Sequence, residues 1–201
     1  MTTSVKLKKS NLPESPESII GLQLLLAELL HREIDSSLLT LLRQPEVSAV
    51  FGNAEPLCIE YIHREWSEDD FEQAAVDFCD LFIMPETACA ARAAAWLSIG
   101  GVITAETVDA LVHGFVSSWD IKVPANYQAL TPDHASLLLY LSAVIRQTEP
   151  DQVDEFDAIA LNSWLPAFGS ELAKTRSPLY CVIGKLLVSS QQKGNISIFE
   201  S

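Results

Sequence analysis

The sequence predicts an all-α fold, a single globular bundle of roughly nine or ten helices built as one domain over residues 1–201. Three observations carry this. Apolar residues recur at three- and four-residue spacing along most of the chain, the breaks between them are short and made by Pro, Gly, Asn and Ser, and no run alternates with the period of a strand. With 48% hydrophobic residues and 8 glycines in 201, the chain has enough apolar surface for a sizeable core.

The elements follow in order. Ser15-Pro16 opens a first helix carrying Ile19, Ile20, Leu22, Leu24-Leu25-Leu26, Leu29 and Leu30, which is apolar nearly all round, hence central, and ends near Glu33. Asp35 caps a short helix through Leu42 that stops before Pro45, and another covers Glu46 to Gly52. Pro56 to Trp66 repeats the helical spacing. Ser67 then caps a helix with the acidic first turn Glu68-Asp69-Asp70, running through Phe71, Phe78 and Phe82 to the stop at Met84-Pro85. An alanine-rich helix is expected from about Thr87 to Ile99, ended by Gly100-Gly101, and Thr104 caps the next, which finishes near Trp119.

Asp120 to Leu130 has neither period and contains Pro124 and Asn126. It reads as an ordered loop, the one candidate hinge between an N-terminal and a C-terminal helical part, and loops of this length are often functional. A Leu-rich helix starts at Thr131. After Glu149-Pro150 another runs from Asp151 through Leu161, Trp164 to Ala173 extends or restarts it around Pro166, and Ser177-Pro178 begins the last, to Ser190. Residues 1–14 and 191–201 are polar and expected to be loose.

Charge narrows the function. Thirteen Lys and Arg against 27 Asp and Glu give a net charge of −14, which argues against a phosphate-binding surface and so against nucleic acid; it suits cationic ligands or basic peptides, and equally a surface charged only to stay dispersed. Cys58, Cys79, Cys89 and Cys181 lack CxxC spacing and sit in apolar surroundings, as buried reduced thiols do. The basic stretch Met1 to Ser10 is not followed by a signal-peptide apolar region, and no apolar stretch has membrane-spanning length, so the expected location is the cytoplasm with no stable membrane insertion. His31, His63, His113 and His134 are scattered without metal-ligand spacing, and phosphate cradles and the GxSxG elbow are missing. No metal, no cofactor and no enzymatic activity are expected.

The stretch with most chemical content is Thr131-Pro132-Asp133-His134 before the apolar run Ala135 to Ile145. Thr131 suits an N-cap, Pro132 the first helical position and Asp133 the positive end of the dipole. Capping alone explains that arrangement; a carboxylate waiting for a guanidinium explains it as well. Asp133 and His134 would point about 100° apart on a helix, and no third group orients them for acid–base work.

Several segments, in order, resemble the TorD/DmsD/NarJ redox-enzyme maturation chaperones. Thr131-Pro132-Asp133-His134 is similar to the family's Glu-Pro-x-Asp-His loop without its leading Glu. Asp77-Phe78-Cys79-Asp80-Leu81-Phe82 is similar to its Asp-Tyr-x-x-Leu-Phe segment, Trp96-Leu97 to an aromatic-Leu pair, and Leu161-Asn162-Ser163-Trp164-Leu165-Pro166-Ala167-Phe168 to its His-Leu-x-Pro-Trp-x-Pro-x-Phe stretch, here without the His and first Pro. Ser177-Pro178-Leu179-Tyr180 with Leu186-Leu187 resembles its ending. The resemblance implies an all-helical cytoplasmic chaperone, monomer or homodimer, that binds the twin-arginine signal peptide and precursor of a molybdenum-cofactor oxidoreductase until the cofactor is in place.

On that reading Asp133 is the first choice for the peptide's arginines, with Pro132 and His134 beside it. His134 would add pH dependence near neutrality or sit in the core. Trp96, Trp119 and Tyr127 are candidate walls for the apolar part of the peptide, or core and loop packing residues, and Asp120 is a loop residue with a possible ligand contact. The other reading of the same features is a helical interaction or regulatory protein without a signal-peptide client.

Overall fold

The computed structural model describes residues 15–84, 89–97 and 102–192, and among them the chain forms ten α-helices. They are α1 (Pro16–Leu29), α2 (Ser36–Leu42), α3 (Pro45–Ala54), α4 (Pro56–His63), α5 (Glu68–Phe78), α6 (Ala105–Ser118), α7 (Ala135–Thr148), α8 (Val153–Ala160), α9 (Leu165–Leu172) and α10 (Pro178–Gln192). The expected all-α class is therefore the observed one. Its starts follow the capping rules closely. Ser15 Oγ accepts from the Ser18 N–H, Asp35 caps α2 at Leu38, and Ser67 and Thr104 each form a reciprocal capping box.

Two helix pairs organise the packing. α1 lies along α7, with α8 against α7 and α6 against α8; α9 lies along α10, and α3 and α4 close over α10. α7 is the central helix, with nine of its 14 residues buried. The expectation that α1 is apolar all round and central needs correcting. It buries Gln23, Leu25, Leu26, Ala27 and Leu29, ends at Leu29 rather than near Glu33, and leaves Leu24 exposed on its other side. A buried polar chain crosses the first pair: Gln23 donates to Ser142 Oγ (2.8 Å), Ser142 donates to Asp157 Oδ1, and Arg146 donates to Asp157 Oδ2 (2.7 Å). Burial pushes the Asp157 carboxyl up, against those two donors.

The largest departure is the alanine-rich segment. Thr87 and Ala88, Ser98 to Gly101, and Pro85 lie outside the described residues, but Cys89 to Leu97 holds one 3₁₀ turn, Ala93–Ala95, and no α-helix. Helix propensity loses here to tertiary pairing: the Ala93 N–H donates to Asp133 O (2.9 Å) and the Ala135 N–H to Ala91 O (2.8 Å), so these groups are not available for an i to i−4 ladder. Arg92 and His134 form the isolated antiparallel bridge between the two segments. A second departure is mild. Past Phe78, the predicted α5 loosens into a π-helical turn over Cys79–Ile83.

The α9–α10 crossing is set by glycine. A Cβ at Gly184 would lie 2.3 Å from the Ala173 nitrogen and 2.5 Å from the Gly169 oxygen, both backbone atoms that cannot give way. Gly114 on α6 has open space at the same position. We expect Gly184→Ala to cost about 3 kcal/mol by forcing the helices apart, and Gly114→Ala to add about 0.5–1 kcal/mol through helix propensity. Urea midpoints of the two variants read this directly, and equal effects would refute the close-crossing account.

Candidate functional site

The site is built where a buried helix begins. α7 starts at Ala135, not at Thr131: residues 131–134 form a turn closed by the His134 N–H donating to Thr131 O (3.0 Å), and His134 is the N-cap. Thr131 is therefore not the cap, Pro132 is not in the first helical position, and Asp133 precedes the helix. The reason is burial. Asp133 is 2% exposed, and its carbonyl and carboxylate both face the 91–94 segment instead of α7's own N–H groups.

Asp133 is the polar centre of this junction. Oδ1 accepts from Arg92 Nε at 3.1 Å and Oδ2 from the Ala94 N–H at 3.1 Å. Burial alone would raise its carboxyl, but the Thr131 hydroxyl, the Ala94 N–H and the Arg92 guanidinium together outweigh that and hold it below the usual carboxylate range. The two partners differ in exposure: the Asp133 side chain is 3% exposed and the Arg92 side chain 52%.

His134 does different work. Its Nδ1 accepts from the Ser136 N–H at 3.2 Å, which requires that nitrogen to be unprotonated. Burial, with His31's charge and that of Arg92 in the same direction, lowers its pKa from the ordinary 6.5 to about 4 despite Asp133. The expected charge interchange near neutrality thus moves well into the acid range.

Tyr127 is buried. Its ring stacks between His31 (4.9 Å) and Tyr140 (5.0 Å), and its hydroxyl donates to Glu28 Oε1 at 2.8 Å. The loop is thereby fastened to α1 and α7. Asp120 occupies the left-handed region at φ 46° directly after the α6 C-cap Trp119, and the Ile121 N–H reaches back to Val116 O, a Schellman-type ending more often given to Gly or Asn. Trp119 is 41% exposed. Trp96 packs edge-on against Phe168, and its indole N–H donates to Ala90 O at 2.7 Å.

Three hollows surround these groups. A cleft of about 600 Å³ between α6, the loop and the start of α7 is lined by Val116, Val123, Tyr127, Leu130, Pro132 and Leu137, with His113 and Lys122 also in its lining. Trp119 and Asp120 line a smaller hollow of about 240 Å³ on the other face of the loop. A groove of about 640 Å³ between α1 and α3 is apolar through Leu22, Leu24, Leu25, Val47 and Val50, and its charged lining residues are Glu28 and Glu46. Of the sequence-selected residues, Tyr127 and Pro132 share the first cleft, Trp119 and Asp120 share the second, and Asp133, His134 and Trp96 belong to the junction with residues 90–96. Sequence reasoning missed Arg92, Glu28 and His31. One signal was present for the first: between Arg64 and Lys122, Arg92 is the sole Lys or Arg in the chain.

The family model described as nitrate reductase delta subunit matches residues 44–170. The chain belongs to this family. It is one of the redox-enzyme maturation chaperones of TorD/DmsD/NarJ type that the motifs suggested, a family of chaperones rather than catalysts. A crystal structure of a candidate redox enzyme maturation protein from Archaeoglobus fulgidus is similar in fold, with TM-score 0.53 and 15% identity, covering 92% of this chain and 99% of that one. No curated protein matches the chain in sequence. No helix among the described residues of the chaperone is long and apolar enough to cross a membrane, and those residues hold no cluster of potential metal ligands.

The His134 pKa gives a stability prediction with a definite sign. Its folded value lies below its unfolded value, so between about pH 6.5 and 4 the unfolded chain takes up a proton that the folded chain does not, and stability falls as pH falls. The full loss is about 3 kcal/mol below that window. His134→Asn keeps a capping acceptor without the titration. Its unfolding free energy between pH 6.5 and 4 should decline less steeply than wild type, by chemical denaturation; parallel slopes would show that His134 does not titrate as described.

Proposed function

We propose that this chaperone holds the twin-arginine signal peptide of a molybdoenzyme precursor of the DMSO, TMAO or nitrate reductase type in the cytoplasm while the cofactor is inserted. One observation carries the reading: a buried carboxylate, Asp133, already shaped to accept a guanidinium, adjoins in sequence an apolar cleft lined by Pro132 and Tyr127. A twin-arginine signal peptide carries that pair of features, guanidinium groups followed by an apolar run, and a net charge of −14 raises its encounter rate. The apolar run lies along Val116, Val123 and Leu130. Trp119 and Asp120 line the hollow on the far side of the loop, and Trp96 packs against Phe168 rather than lining the cleft.

The α1–α3 groove favours a second seat for the same peptide, because carboxylates are its charged lining groups. Calorimetric titration with a twin-arginine peptide, and with its Lys-Lys counterpart, separates the seats. Wild type should bind the first more tightly, with affinity falling as salt rises. Val123→Asp should weaken binding by about tenfold or more while Leu24→Asp leaves it unchanged; the reverse pattern moves the peptide to the groove. No binding of any twin-arginine peptide from molybdoenzymes of the source organism would sink the reading.

A further inference from the structure

The ion pair of Asp133 and Arg92 is lopsided in a way that a purely structural pair need not be. Its acid is nearly inaccessible and its base is half in water. The bond is single, through Nε, at 3.1 Å, and among the described residues no hydrogen bond is made by either terminal guanidinium nitrogen. A carboxylate can take a guanidinium through two parallel bonds, so Arg92 uses the weaker of the available geometries. Asp133 does not depend on Arg92 alone. The Ala94 N–H serves Oδ2, and the backbone bonds from Ala93 to Asp133 and from Ala135 to Ala91 hold the two segments together with no side chain involved.

We propose that Arg92 is an internal stand-in for the client's arginine. It covers the Asp133 carboxylate in the free chaperone and swings into solvent when a client guanidinium takes its place on Oδ1. The inference rests on the reading that Asp133 receives the signal peptide's arginine, and adds that binding is an exchange of one guanidinium for another. Exchange keeps the buried carboxylate compensated, since an unpaired charge at a site this buried is strongly disfavoured. It also selects for guanidinium: an ammonium, which cannot reproduce the planar fork, displaces Arg92 less well. The return of Arg92 to Oδ1 would then assist release.

Arg92→Ala removes the competitor and leaves the receptor. Its affinity for a twin-arginine peptide, measured by calorimetry, should exceed wild type by about tenfold, the ratio one charge-assisted hydrogen bond is worth. The gain should vanish in the Arg92→Ala, Asp133→Asn double variant and be smaller for a Lys-Lys peptide. Unchanged or weaker binding by Arg92→Ala would overturn the proposal and make Arg92 a structural partner of Asp133. A second probe works without any peptide. Ethylguanidinium at millimolar concentration should raise the Tm of Arg92→Ala, relative to ethylammonium at equal ionic strength, and leave wild type and the double variant unmoved. If peptides fail with every variant while ethylguanidinium still stabilises Arg92→Ala, the signal-peptide reading falls and the guanidinium site stands. If ethylguanidinium fails as well, both fall.

Discussion

A helix buried on nearly every side has to find partners inside the protein for the backbone groups at its ends, and α7 imposes that requirement on everything around it. Its first N–H groups cannot reach water. Ala135 therefore donates to Ala91 O and Ser136 to the His134 ring, while the Asp133 carbonyl just before the helix is taken by Ala93. These bonds draw residues 91–94 out of the helix their composition favours. They also bring Arg92, from more than 40 positions earlier in sequence, beside Asp133. The site is thus a by-product of capping a buried helix partly with a neighbouring strand-like segment and partly with its own preceding residue, His134.

This explains how much could be read in advance. Helix starts governed by one local bond were legible to the residue: Ser15, Asp35, Ser67 and Thr104 all cap as their type and position indicate. The ending of α6 was legible too, although the left-handed φ of Asp120 was not, since nothing local separates it from an ordinary loop aspartate. Failure began where a partner distant in sequence outbid a local preference. Ala91 to Ala95 looks helical because alanine carries the least penalty in a helix, and that same small side chain lets the segment lie flat against the start of α7. Asp133 shows the other side of the same limit. Its acidic first-turn appearance was sound as a local pattern, yet its bonds run to residues 92 and 94.

Four of the five segments that resemble the family, all but Thr131 to His134, turn out to share a place as well as an order. Phe78 packs on Phe82 (5.2 Å), Phe82 on Tyr180 (5.3 Å) and Phe168 (6.5 Å), and Phe168 collects Trp96 (5.9 Å) and Trp164 (5.8 Å). One aromatic cluster therefore joins the π-helical turn after α5, the 89–97 segment, α9 and α10. Trp164 and Tyr180 are 1% exposed, so these motifs are recognisable because they fix the packing of the helices and not because they face a partner. Trp96 connects the two roles. Its ring joins the cluster and its indole N–H holds Ala90, one residue before the start of the segment that carries Arg92.

The cleft and the Asp133 junction next to it in sequence are accordingly unlike. On the loop side Tyr127 is clamped between His31 and Tyr140 and bonded to Glu28, which leaves the backbone around Pro124 to Leu130 with little freedom to adjust. At the junction with residues 91–94, outside the lining of that cleft, Arg92 is held by one bond and half surrounded by water. Adaptation to a bound arginine falls on the Arg92 side chain by default. A side chain with several rotatable bonds can leave a buried carboxylate at modest cost, whereas moving Asp133 would strip Ala93 and Ala94 of their acceptors and expose the start of α7. The burial that hides the carboxylate therefore also keeps it fixed, and the mobile partner is the one whose charge a ligand can replace.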